Sequence, residues 1–384
     1  FHRILSHHVL SFIENQEHPS PRDLSFPLEI LPKGNFNPLL TRPKNMTNSL
    51  HVIYCLFMML AAIPTLQAEQ PLRIVTFNAQ CLAAPGTRAT RIARFRWDTA
   101  RQAHLERVAN VIETLNPDVL NLIEVTSVEA VDALVAILHE KGLDTYRGYH
   151  EENKETFSGF DVALITKIPP DVIDGKRIRC VFSESKQDLW REPYQYTDSQ
   201  GKTHHEKTSL GRNAIYFLTA GRHQLGFLGL HLKSNPSDQR SNARRTAEAM
   251  IVRRIVEQEI VKRDYIPIVL GDLNDYDPDV PDRDQQRSTQ TSVLAKIKDY
   301  DSKVAGQELV NVLANVDRVE DRYTSHWDRN ENGISDTDDV FTMLDYILIH
   351  NRLSPYVRRV FICHSLDLTT SDHFPVVVDL ELPD

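Results

Sequence analysis

Cysteine is scarce in this chain. Cys55, Cys81, Cys180 and Cys363 are scattered over 384 positions, and their spacings fit no Cys/His zinc pattern. Positive charge is also short: 44 Lys and Arg face 53 Asp and Glu, for a formal charge of −9. Strong non-specific attraction to a polyanion is therefore not a property of the whole chain. A site that handles phosphate has to make its own positive field, from a metal ion or a few Lys and Arg. A membrane-spanning helix needs roughly 20 apolar residues in a row. The run VIYCLFMMLAAI, residues 52–63, supplies twelve. No internal repeat is visible.

Twelve apolar residues suit the hydrophobic part of a secretory signal, and TLQAEQ offers a cut after Ala68. Met46 stands six residues ahead of the run, although Arg42 and Lys44 precede it. Residues 1–45 carry six Pro and no sustained periodicity. The expectation is a leader or disordered extension over 1–45, a signal peptide over 46–68 and one domain over 69–384, secreted or periplasmic. A membrane tether is the alternative. Cleavage removes Cys55 and leaves three cysteines, so at most one internal disulfide can form.

After this, strands and helices alternate. LRIVTFN (72–78) is β-branched and alternating, which predicts a strand. Residues 99–115 put Leu105, Val108, Ala109, Ile112 and Leu115 on one helical face, and Asn116-Pro117 stops that helix. DVLNLIEV (118–125) is the next strand. Thr126 and Glu129 have capping-box spacing, with Gly142 as the C-terminal stop. Further strands are expected at 161–166, 214–220, 224–232, 266–272, 343–349 and 374–380. A long helix is expected near 238–262, its Arg244–Glu248 and Arg253–Glu257 pairs reading as solvated. Two polar stretches, 175–211 and 275–306, read as long loops.

Polar residues stand at the strand ends: Asn78, Glu124, His231 with Lys233, Asp272 with Asn274, and Asp372 with His373 ahead of FPVVV. Ends of distant strands can converge on one rim of a sheet. Asp345, set among apolar residues in MLDYILI, is costly to bury unless paired, and His373 is its obvious partner. Asn78, Glu124, Asp272, Asn274 and Asp372 are oxygen donors, which suit Mg²⁺ first, then Mn²⁺ or Ca²⁺, over zinc. Carboxylates that hold a divalent ion beside two histidines are equipped to attack a phosphate ester.

In order, RIVTFNAQ, PDVLNLIEV, GRNAIYF, GLHLKS, VLGDLND, MLDYILI and SDHFPV resemble the endonuclease/exonuclease/phosphatase superfamily over about 71–382. The resemblance implies a DNase I-like α/β (α+β) fold: a four-layer α/β sandwich with two central mixed β-sheets and an active site at one rim. It implies that Glu124 is the principal metal ligand, with Asn78 and Asp372 beside it. Asp272 and Asn274 would orient the nucleophile and grip the phosphate. His373 would be the base, its tautomer fixed by Asp345, with water activation shared between His373 and Asp272. His231 would donate to the phosphate, and Arg212 and Lys233 would contact it.

The substrate is expected to be a phosphodiester, nucleic acid ahead of phospholipid or inositol phosphate. A catalytically silent binding module is the alternative of a different class. Nothing in the sequence calls for an obligate protein partner. In the 175–211 stretch, Trp190, Tyr194, Tyr196, His204 and His205 are candidates for stacking bases, dipping into a membrane surface or packing on the domain. Finally, DRNENGISDTDD (328–339) puts Asp328, Asn330, Asn332, Gly333 and Asp339 at positions 1, 3, 5, 6 and 12 of a calcium loop. Ser335 stands where an apolar residue is usual and Asp339 where Glu is, so a polar hairpin explains the segment equally well.

Overall fold

The computed structural model describes residues 70–87, 101–154, 158–185, 188–284, 291–301, 303–304, 308–330 and 332–383. The expected leader and signal peptide, residues 1–68, lie outside them. Sixteen strands and four α-helices are described. In chain order they are β1 (Gln70–Leu82), α1 (Arg101–Leu115), β2 (Val119–Val125), α2 (Val128–Glu140), β3 (Arg147–His150), β4 (Asp161–Thr166), β5 (Ile178–Arg179), β6 (Arg191–Thr197), β7 (Thr203–Ser209), β8 (Asn213–Ala220), β9 (His223–His231) and α3 (Gln239–Ile255), then β10 (Ile266–Asp272), α4 (Val293–Lys298), β11 (Leu309–Asn311), β12 (Ser325–Trp327), β13 (Val340–Thr342), β14 (Asp345–His350), β15 (Val357–Ile362) and β16 (Val376–Leu382).

The long strands form two six-stranded sheets. The first runs β15-β16-β1-β2-β4-β3 and the second β11-β14-β10-β9-β8-β5. Each is mixed in the same way: one parallel pair, β1 with β2 and β9 with β10, sits among antiparallel neighbours. The chain leaves both strands of a parallel pair at one rim. An antiparallel neighbour starts at that rim, so polar residues after β1, β2, β9 and β10 meet residues before β8, β14 and β16.

Period-2 alternation decides what each face touches. On the first sheet, Val75, Phe77, Leu120, Leu122, Ala163 and Ile165 pack under α1 and α2, against Leu105, Val108, Ile112, Leu134 and Leu138. Their alternates Leu72, Ile74, Val119, Val162 and Leu164 join the core shared with the second sheet. Asn121 lies on that inner face. It donates to Thr76 Oγ1 at 3.1 Å and accepts from Tyr216 Oη at 3.4 Å. The second sheet meets it at Gly229, where a Cβ would fall 2.0 Å from Asn121 Oδ1. Gly226 faces the other way, its absent Cβ pointing 2.3 Å from Cγ2 of Ile260, just beyond α3. Counting on by two from Gly229 places His231 on the inner face.

Gly271 precedes Asp272 with φ +135°, and a Cβ there would lie 2.0 Å from the Leu230 carbonyl oxygen. Gly271→Ala is expected to cost about 3 kcal/mol in stability, read as a lower denaturant midpoint with unchanged slope. A midpoint equal to that of wild type would show that the β9–β10 backbones can separate freely.

Several local expectations are corrected. The cap of α2 is Ser127, whose Oγ accepts from Ala130 N at 3.3 Å, while Thr126 Oγ1 donates to Leu82 O at 3.0 Å. Gly142 does take the left-handed stop, with φ +81°. The long helix is α-helical only to Ile255 and then widens into a π turn over Val256–Ile260. The 175–211 stretch is not a loop: it holds β5 and the β6–β7 ribbon. The 275–306 stretch contains α4. No disulfide joins the three described cysteines, and no described helix is long and apolar enough to cross a membrane.

Candidate active site

The site begins as a register row. His231 ends β9, Asp272 ends β10 beside it, and Asp345 opens β14 opposite Asp272. Cross-strand neighbours share a face, so three ionisable side chains stand together on the inner rim of the second sheet. His231 Nε2 is 3.6 Å from Asp272 Oδ2 and 3.9 Å from Glu124 Oε1. The first sheet faces this row with Asn78, whose Nδ2 lies 3.2 Å from both Glu124 Oε1 and Asp272 Oδ2. One amide thus bridges a carboxylate from each sheet. Its own oxygen accepts from Gln80 N at 3.0 Å.

Glu124 reaches this rim through a bulge. Strict alternation from Asn121 and Ile123 would aim it at the helix layer. Instead its backbone is left-handed, φ +63°, and the β2–β4 register shifts between Ile123 and Val125. Opposite, β1 bulges between Asn78 and Leu82, with Gln80 at φ +49° and Cys81 at φ +64°. That bulge turns Cys81 N onto Glu124 Oε2 at 3.0 Å. Asn274 is left-handed too, φ +50°; its N donates to Asp272 Oδ1 at 3.0 Å and its Nδ2 to Leu232 O at 3.2 Å. Backbone strain thus concentrates where side chains must be aimed.

The segment before β16 closes the site. Ser371 Oγ donates to the Asn78 carbonyl at 2.7 Å and accepts from His373 N at 3.0 Å. Among the described residues no hydrogen bond to the Asp372 carboxylate is seen; the Asp372 carbonyl accepts from His326 N at 2.8 Å. His373 Nδ1 lies 2.7 Å from Asp345 Oδ2, in a side chain with no exposed surface. This fixes the imidazole's orientation and leaves Nε2 as its reactive position. Asp345 Oδ1 is buried, with no hydrogen-bond partner among the described residues. On the other flank, Arg212 Nη1 is 3.2 Å from His231 Nδ1 and 3.3 Å from Nε2. Lys233 Nζ reaches Ser234 Oγ at 3.3 Å.

The electrostatics are those of crowded negative charge. Burial, then repulsion from Asp345 and Glu124, pushes Asp272 up to about 7. Burial and the Asp372 carboxylate raise Glu124. Burial alone would lower His373, but Asp345, with Asp372 and Asp272, outweighs it and holds the imidazole well above its ordinary value. His231 is held well below, by burial and then by Arg212 and His373. Lys233 is lowered by burial and the nearby Arg212 and Arg244. Asp272, Asp345 and His373 offer donor atoms within 4.8 Å of one another. Together with Glu124 this oxygen-rich, over-negative set fits a hard divalent cation.

Asn78, Glu124, His231, Asp272, Asn274, Asp345, His373 and the Arg212 side chain are thus gathered at one rim, with Asp372 and Lys233 at its margin. Sequence reasoning missed two members of the surroundings. Arg245, fully buried, and Glu248, 3% exposed, face inward from α3. Arg244 does bond Glu248, at 2.9 Å, but that pair is not the solvated one expected; Arg253 Nε bonds Tyr300 O at 3.3 Å. The available signal was spacing: 245, 248, 252 and 255 form one stripe, and Val252 and Ile255 are core.

The β6–β7 aromatics pack on the domain. Tyr196 stacks on His204 with ring centres 4.9 Å apart, and Glu192 and Glu206 pair with Arg254 and Arg240 of α3 at 2.7 and 3.0 Å. Trp190 lies against the main core, while His205 is exposed. The 328–339 segment links β12 to β13. Asp328 accepts from Gly333 N at 2.7 Å, Asn332 from Ile334 N at 2.7 Å, and Asp339 meets His326 Nε2 at 2.6 Å.

A model of the Endonuclease/Exonuclease/phosphatase family matches residues 75–373. No curated protein matches the chain by sequence. Among solved structures, an endonuclease/exonuclease/phosphatase family protein from Leptotrichia buccalis is 15% identical, covering 81% of this chain and 100% of its own at a TM-score of 0.50. An AP endonuclease from Archaeoglobus fulgidus gives the same 15%, 81%, 100% and 0.50. The 3′ phosphatase NExo from Neisseria, bound to product DNA hairpin, is 14% identical over 80% of this chain and 99% of its own, again at 0.50. At such identities the likeness concerns the fold, two mixed sheets flanked by helices.

Proposed function

Because the chain belongs to the Endonuclease/Exonuclease/phosphatase family, we propose that it hydrolyses a phosphodiester with the help of a divalent cation. The observation that carries this reading is the row His231–Asp272–Asp345, met across the rim by Glu124 and braced by His373. Glu124 and Asp372 would hold the ion, with Asn78 fixing Glu124. Mg²⁺ is the first choice for such donors, with Mn²⁺ and Ca²⁺ next. When bound, the ion supplies positive charge against the non-bridging phosphate oxygens.

The chain's own residues do the rest. Arg212 and Lys233 attract the phosphate. His231, kept neutral by its surroundings, donates a ring N–H to a phosphate oxygen. Asn274 steadies Asp272 through its backbone N–H. In its neutral form His373 takes the proton of the attacking water at Nε2 while Asp345 holds the Nδ1 hydrogen; because the surrounding carboxylates favour the charged ring, that form grows, and the rate with it, as pH rises. Asp272, poised near neutrality, shares that proton.

Nucleic acid is the favoured substrate, supported by the paired cations Arg212 and Lys233 beside His231. A phospholipid reading has its own observation: Trp327 and Ile334 are 62% and 67% exposed, Trp327 ending β12, which pairs with the Asp372–His373 segment, and Ile334 lying in the segment that leads to β13. Hydrolysis of bis(p-nitrophenyl) phosphate, plasmid, single-stranded DNA, RNA and sphingomyelin, each with Mg²⁺, Mn²⁺, Ca²⁺ or EDTA, tests both. The expected result is metal-dependent cleavage of at least one nucleic acid, at least tenfold above sphingomyelin. Turnover undiminished in EDTA would defeat the metal proposal. Export after cleavage at Ala68 belongs to the same proposal, and a mature N-terminus well upstream of Glu69 would remove it.

A further inference from the structure

The inner face of α3 carries an arginine and a carboxylate that grip the backbone leading out of His231. Arg245 Nη1 donates to Lys233 O at 2.8 Å, and Lys233 N donates to Glu248 Oε2 at 3.0 Å. Residues three apart on a helix lie side by side. The pair therefore satisfies both backbone polar groups of Lys233, much as a neighbouring strand would. Arg245 has two more partners: Nε to Asp275 Oδ2 at 2.8 Å and Nη2 to Asn242 Oδ1 at 2.6 Å. Asp275 follows Asn274 and also accepts from Thr291 Oγ1 at 2.8 Å. One guanidinium thus joins the turn after β9, which follows His231 and carries Lys233, to the turn after β10, which follows Asp272 and carries Asn274. The two turns are already laced together by Leu232 N to Asp272 O at 2.9 Å and by Asn274 Nδ2 to Leu232 O at 3.2 Å.

We infer that Arg245 and Glu248 are positioning residues for the proposed hydrolysis: from a helix they fix the spacing between the Lys233 turn and the Asp272–Asn274 turn. Both side chains are engaged with protein partners. A guanidinium suits the task because its planar fork serves three acceptors at once, which a lysine ammonium reproduces only in part.

The inference rests on the reading of the site as a hydrolase, and the test separates the two. The full chain is assayed on bis(p-nitrophenyl) phosphate with Mn²⁺, well below its Tm, as wild type, Arg245→Met, Arg245→Lys, Glu248→Gln and Lys233→Ala, and with Arg245→Met in the Lys233→Ala background. Folded fraction is measured by circular dichroism. For Arg245→Met, a 10- to 100-fold loss of kcat/KM per folded molecule is expected, with partial rescue in Arg245→Lys. The loss should shrink at least threefold in the Lys233→Ala background, since both act through one turn. A purely structural role would lower Tm, leave kcat and KM per folded molecule unchanged and show no such coupling; that result overturns the inference. Should Arg245→Met not fold, Arg245→Lys and Glu248→Gln decide: kcat/KM within twofold of wild type in both overturns it. A wild type inert with every metal defeats the hydrolase reading itself.

Discussion

Replacing His373 by alanine is expected to lower kcat about 10³-fold with KM nearly unchanged, and to lower the melting temperature, because the buried Asp345 carboxylate loses its partner. The backbone contacts that place this segment do not use the imidazole. His373 N bonds Ser371 Oγ at 3.0 Å, and Phe374 N bonds Thr324 O at 2.8 Å. What the ring supplies is a nitrogen backed by Asp345 at 2.7 Å. Asp345→Asn should therefore lose activity as well, by a smaller factor of about 10², because the imidazole remains while its orientation and charge partner weaken. Steady-state kinetics with thermal melts on both variants make the comparison. Activity within twofold of wild type in His373→Ala would assign proton abstraction to Asp272 alone.

The second large effect is opposite in sign for stability. Asp272→Asn is expected to abolish turnover and to make the metal-free protein more stable at pH 8. Asp272 is pushed up to about 7 by burial, then by Asp345 and Glu124, against about 3.9 in an unfolded chain. Between those values the folded state holds more protons than the unfolded one, so stability present at low pH is lost as pH rises through 7. The penalty is on the order of 4 kcal/mol at pH 8. Asparagine keeps an oxygen to accept from Asn274 N without a charge to bury. In EDTA the variant should melt several degrees above wild type at pH 8, with the gap closing towards pH 4. Saturating Mg²⁺ or Mn²⁺ should raise the wild type more than the variant. A lower melting temperature for the variant at pH 8 would show that the carboxylate is compensated within the protein.

The sequence revealed long, regular elements well. DVALIT and IPIVLGD become β4 and β10 with the expected ends, because apolar β-branched runs bounded by turn residues have one economical state. The family resemblance extended this to the two-sheet architecture. Short or polar strands were not legible. The β6–β7 ribbon, REPYQYT and THHEKTS, owes its pairing to cover from α3, which no local pattern encodes. VRRVFI became the edge strand β15 although its exposed arginines mask the alternation. Within the site, Asp345 announced itself as an acid in an apolar strand. Glu124 is different. Period two alone sends its side chain to the wrong face, and only a left-handed residue in a bulge reverses it. Arg245 and Glu248 were hidden because charged residues on a helix are read as solvated, and their contacts with Lys233 and Asp275 come from turns distant in sequence.

The contact of Gly229 with Asn121 has an effect far from where it occurs. Glu124 and Asn78 ride on one sheet, His231, Asp272 and Asp345 on the other, so the spacing across the proposed site depends on how closely the two sheets pack. Bulk added at position 229 would lever the two halves apart and loosen every cross-rim distance together. The width of the proposed site is thus set partly by the missing Cβ of a residue outside it.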